Sequence, residues 1–63
     1  MKFIISKRTD YQKKAYFFVT LQGNNGEPIM HSETYNSKSW ATKIVNKMKK
    51  DIPNAEVFYE YEK

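Results

Sequence analysis

His31 is the only imidazole in this chain, and there is no cysteine. Nucleophilic catalysis needs a hydroxyl or thiol with a base beside it, so such a site would have to be built around His31. It stands two residues from Ile29 on a segment that reads as a short strand, which puts both side chains on one face. A buried or half-buried histidine with one hydrogen bond is the simpler expectation. Glu27, Glu33, Asp51, Glu56, Glu60 and Glu62 supply carboxylates for acid–base work only if two converge. Glu56 and Glu60 share a strand face but lie roughly 13 Å apart by strand rise, too far for a retaining pair. The two glycines, Gly23 and Gly26, form no phosphate-cradling motif. Without thiols, disulfides and thiolate zinc sites are excluded. We therefore expect no catalytic, cofactor-binding or metal-binding residue and no enzymatic activity.

Two other groupings have types and spacing suited to binding. Ser32, Glu33, Thr34, Tyr35 and Ser37 precede a helical pattern, and unpaired N–H groups at a helix start attract anions. The simpler reading is that Ser37 caps the helix and Tyr35 packs where the chain enters it. The second grouping is basic and aromatic: Lys7, Arg8, Lys13 and Lys14, with Tyr16 and Phe18 following. Exposed rings flanked by lysines are how sheets stack single-stranded nucleic acids. Glu56, Glu60 and Glu62 on the neighbouring strand face would repel phosphates. A surface covered by a loop or a protein partner is the alternative.

These residues are positioned by elements the pattern makes plain. Lys2 to Ser6 reads as a strand with Phe3 and Ile5 on one face. Lys7 to Lys14 reads as a basic loop. Ala15 to Gln22 alternates Phe17, Val19 and Leu21 against Tyr16, Phe18, Thr20 and Gln22, and the first set is the core face. Ile4 and Phe58 are expected to join Tyr16 and Phe18 on the face away from the helix. Asn25-Gly26 predicts a type I′ hairpin turn with positive φ at both residues. A strand from about Pro28 to Ser32 then pairs back antiparallel. From Ser37 to about Ile52, residues Trp40, Ala41, Ile44, Val45, Met48 and Ile52 recur with helical period, and Ser37 is the expected N-cap, with Asn36 as a second candidate. Pro53 ends the helix. Ala55 to Tyr61 is a last strand, with Val57, Tyr59 and Tyr61 opposite Glu56, Phe58, Glu60 and Glu62. The order β-β-β-α-β, with one amphipathic helix over an antiparallel sheet, is an α+β domain spanning residues 1–63.

Size limits what such a domain does alone. Sixty-three residues bury only roughly 60% of the unfolded surface, so stability is marginal without a further contribution. With disulfides excluded and one histidine, self-association is the remaining candidate. Ten aromatic residues support it. Net charge is +4, from eleven Lys/Arg and seven Asp/Glu. Such a surplus suits anionic partners but is also ordinary for a soluble surface. No apolar run is long enough for a secretory signal or a membrane span, so a soluble cytoplasmic protein is expected.

Phe3-Ile4-Ile5-Ser6-Lys7, Phe17/Val19/Leu21, Asn25-Gly26-Glu27, Ile29, Ser32-Glu33, Tyr35 and Ser37-Lys38 occur in an order and spacing that resembles the YegP-like family of small bacterial domains. The resemblance runs over nearly the whole chain. It implies a β-β-β-α-β unit that works in pairs, forming one continuous sheet and exchanging C-terminal strands, here as a homodimer. The family has no assigned activity, so the resemblance carries no functional residues. Where the family has small residues in the helix, this chain has Trp40 and Ile44, and Ile44-Val45 stands where a Gly-Ile pair is usual. The expectation is a non-enzymatic homodimeric interaction module. A nucleic-acid-binding module using Lys7, Arg8, Lys13, Lys14, Tyr16 and Phe18 is the alternative.

Overall fold

A computed structural model describes residues 1–61. It contains β1 (Lys2–Thr9), β2 (Ala15–Gln22), β3 (Pro28–His31), α1 (Lys38–Met48) and β4 (Glu56–Tyr61). The β-β-β-α-β order is thus as the sequence pattern predicts. The strands form one sheet in the order β3-β2-β1-β4.

The sheet is mixed, not antiparallel throughout. β1 pairs antiparallel with β2, and β2 with β3, but β1 pairs parallel with β4, from Lys2↔Glu56 to Lys7↔Tyr61. The correction follows from connectivity. β3 runs in the same direction as β1, and the helix returns the chain to that direction at the opposite edge, as crossover helices do between parallel strands. Here β4 completes the sheet of its own chain.

One face of the sheet carries the core. Phe3, Ile5, Val19 and Leu21 project from the central strands, and Ala41 and Val45 meet them from the helix, all 6% exposed or less. Ala55, just before β4, closes the cluster, and Phe17, Tyr35, Ile44, Met48, Ile52 and Val57 pack around it. Fully burying a Phe, Ile or Val side chain is worth about 1.5–3 kcal/mol, so these few residues dominate the fold. Trp40 departs from its expected place. It is 55% exposed, because Ala41 and Val45 take the sheet-facing line and leave Trp40 to one side.

Local structure differs from the pattern in four further places. The first strand runs on to Thr9, since Lys7, Arg8 and Thr9 pair with Phe17, Tyr16 and Ala15, so Lys7 and Arg8 are not in a loop. The Asn25-Gly26 hairpin is not type I′: Gly26 has φ +85, whereas Asn25 is not in the positive-φ region. Gly26 N–H donates to the Gly23 carbonyl and Gly23 N–H to the Glu27 carbonyl, the pattern of a three-residue loop closed by a left-handed residue. The helix stops at Met48, where Asp51 and Ile52 N–H groups both turn back to the Met48 carbonyl. Ser37 is at the N-cap with extended φ and ψ, but its hydroxyl pairs with Ser39 Oγ at 3.2 Å instead of a helix amide.

Candidate functional site

The sheet face away from the helix gathers Ile4 and Arg8 from β1, Tyr16 and Phe18 from β2, His31 from β3, and Phe58 and Glu60 from β4. The alternation that buries Phe3 and Ile5 forces their neighbours to this side. Tyr16 and Phe18 stack with centroids 6.3 Å apart and planes 26° apart. The Arg8 guanidinium lies 5.9 Å over the Phe18 ring and donates to Glu60 Oε1 at 2.6 Å. Lys2 Nζ lies 5.1 Å over Phe58 and opposite Glu56 in the strand register. Each cation on this face therefore has an aromatic ring beneath it and a carboxylate on the neighbouring strand.

His31 is exposed, not buried, because β3 is an edge strand. Its Nδ1 shares a hydrogen bond with Thr20 Oγ1 at 2.9 Å, and its ring meets Phe18 edge-on. No carboxylate hydrogen-bonds to it among the described residues.

The six residues singled out from the sequence do not form one site. Arg8, Tyr16 and Phe18 come together. Lys7 faces the helix side, between Phe17 and Tyr61. Lys13 and Lys14 sit at the β1–β2 turn, where Asp10 Oδ1 accepts from the N–H groups of Gln12 and Lys14. Glu62 lies outside the described residues.

The outer edge presents a second surface. On β4, Phe58, Tyr59 and Tyr61 are 44%, 53% and 42% exposed. Tyr61 meets Phe17 and Tyr59 edge-on. Lys38, at the start of α1, holds its ammonium 4.8 Å over the Tyr59 ring and 5.6 Å over that of Tyr61. Hydrogen bonding and charge from the Tyr61 phenol raise the Lys38 pKa above the ordinary lysine value.

A third surface lies at the helix start, where the sequence pattern offers an anion site beside the simpler capping role. Thr34, Tyr35, Asn36 and Trp40 line an open cleft of about 340 Å³. Its Tyr35 wall is fixed by paired backbone bonds with Phe17, at 2.7 and 2.8 Å. Lys43 Nζ lies 4.7 Å over the Trp40 ring. The available signal was the spacing of Trp40, Lys43, Lys47 and Lys50, which follows the helical period as closely as the core residues do.

Among the described residues, no group of three or more His, Cys, Asp or Glu could hold a metal ion, and no helix is long and apolar enough to cross a membrane. A family model described as a domain of unknown function (DUF1508) matches residues 12–58. The chain belongs to this family. The YegP-like family resembled by the sequence is a DUF1508 family. In this DUF1508 domain the matched region takes in β2, β3, α1 and the first half of β4. No curated protein and no solved structure gave a match.

Proposed function

We propose that this DUF1508 domain is a non-enzymatic interaction module of the bacterial cytoplasm that works as a homodimer joined through β4. The observation that carries this reading is the outer strand. β4 is an edge strand, and three large aromatic side chains on it are each about half exposed. An exposed edge with apolar side chains on both faces invites another strand. A 63-residue domain gains stability from covering it.

Exchange of β4 between two chains fits the same geometry. The parallel register of β4 on β1 can be filled by either copy's strand, and the segment 49–55 decides which. Exchange of an identical element is a low-cost route to a dimer. The one imidazole pairs with a hydroxyl, that of Thr20, which is buried, and no carboxylate hydrogen-bonds to its ring among the described residues, which supports a role other than catalysis. Nucleic-acid binding by the Tyr16/Phe18 face draws less support, because Lys7 is on the other side and Arg8 is bound to Glu60.

Sedimentation at micromolar concentration tests the proposal. A mass of twice 7.5 kDa is expected, and a mass of 7.5 kDa across that range would overturn it.

A further inference from the structure

Between Glu33 and Asp51 the chain carries five lysines and no acidic residue. Trp40, Lys43 and Lys47 are at helical spacings of three and four, so they lie along one face of α1. Lys50 follows in the turn beyond it. All four are exposed. By helical rise, Lys43 and Lys47 are about 6 Å apart along the axis, close enough for both to meet the phosphates of one strand. This is unlike the open sheet face, where each cation is matched by a carboxylate.

The cleft beside Trp40 is a second and independent feature. It has two aromatic walls, Tyr35 and Trp40, and two polar side chains, Thr34 and Asn36. Unstacked bases are held against aromatic rings and read by hydrogen bonds along their edges. An amide and a hydroxyl beside two rings supply both kinds of contact. The volume of about 340 Å³ has room for one base. The backbone that carries the Tyr35 wall is held by its pairing with Phe17.

We propose that the exposed face of α1 binds single-stranded nucleic acid, with a base in the Tyr35/Trp40 cleft and the phosphates tracking along Lys43, Lys47 and Lys50. None of the residues lining the cleft belongs to β4. The site differs in kind from an anionic lipid surface, which would use the lysines but would leave the cleft without a hydrogen-bonding occupant.

Trp40 is the only tryptophan, so its fluorescence reports the cleft directly. The intact chain is titrated with short oligothymidylate and oligouridylate at low salt. Quenching of Trp40 is expected, with the logarithm of affinity falling against the logarithm of salt at a slope of about −2, from three lysine contacts at roughly 0.7 each. Replacing Lys43, Lys47 or Lys50 singly by Gln should reduce that slope by about 0.7. Trp40→Ala should weaken binding, followed by anisotropy of labelled oligonucleotide, by tenfold or more, and Trp40→Phe by much less, since a ring is retained. Circular dichroism checks that each variant keeps its helix. Absence of binding at low salt overturns the proposal. So does binding without Trp40 quenching, an unchanged salt slope in the lysine variants, or association with phosphatidylserine vesicles in place of the oligonucleotides.

Discussion

Lys13 and Gly26 occupy the same position in two hairpins of one design. In the first turn, Lys13 N–H donates to the Asp10 carbonyl and Asp10 N–H to the Lys14 carbonyl. In the second, Gly26 and Gly23 repeat both bonds, with Glu27 in place of Lys14. The closing residue is left-handed in each, at φ +63 for Lys13 and +85 for Gly26. The second turn uses the residue suited to that conformation, and the first does not.

A left-handed non-glycine residue costs roughly 1–2 kcal/mol, part of which a glycine gives back through its freer unfolded chain. Lys13→Gly is therefore expected to stabilise the domain by about 0.5–1 kcal/mol. Gly26→Ala should destabilise it by about 1 kcal/mol, although a Cβ there meets nothing within 4 Å, so the cost is conformational. In a domain this small, 1 kcal/mol moves Tm by about 4–8 °C, which thermal denaturation resolves. Equal melting of Lys13→Gly and the parent would contradict the turn geometry.

The burial pattern separates Phe3 from Trp40. Phe3 has no exposed surface, whereas Trp40 is 55% exposed. Phe3→Ala is expected to cost about 3–5 kcal/mol, a large share of what a domain this size has. Trp40→Ala should cost well under half as much. Chemical denaturation of the two variants gives the comparison. A Trp40→Ala loss as large as that of Phe3→Ala would return Trp40 to the core.

Tyr59 tests the outer strand. A lysine on an exposed edge strand discourages pairing, and the fold itself loses the contact of Lys38 with the Tyr59 ring, worth about 0.5–1 kcal/mol at an exposed site. Tyr59→Lys is expected to convert the dimer to a folded monomer, seen as a halved mass with unchanged circular dichroism. A dimer that persists would move the interface away from β4.

Lys38 links the same edge to pH. Its pKa is raised in the folded chain by Tyr61. The contact's contribution is thus fully present below the ordinary lysine pKa of about 10.4 and is lost as pH rises through the higher folded value. Tyr61→Phe should lower the Lys38 titration midpoint, followed by NMR at its side-chain carbons. An unchanged midpoint would show that Tyr61 does not act on it.

Wherever alternation or period was strong, the sequence reading agrees with the structure. Phe17, Val19 and Leu21 against Tyr16 and Phe18 identified the core and open faces of β2, and the apolar stripe of α1 contains the two residues that are buried, Ala41 and Val45. The direction of β4 was not legible, because alternation is the same in parallel and antiparallel strands. Trp40 was misplaced because a helical period admits a broad apolar stripe, and only packing shows which side of it is buried. In the sequence pattern Lys7 and Arg8 are neighbours in a basic loop. Once the strand continues through them, the pleat sends them to opposite faces, and the grouping of basic residues divides.

The parallel pairing of β4 with β1 has a kinetic consequence. The two hairpins and the helix join residues close in the chain, but Lys2 meets Glu56 only when nearly the full length is available. Contacts between distant residues form late, since their loop must close first. Until then the outer edge of β1 stands open on an otherwise assembled sheet. In that interval a strand from a second molecule competes with the chain's own β4. Refolding at high protein concentration should therefore capture more intermolecular pairing than refolding at low concentration. The concentration at which the chain first folds then helps to decide which molecule supplies the fourth strand.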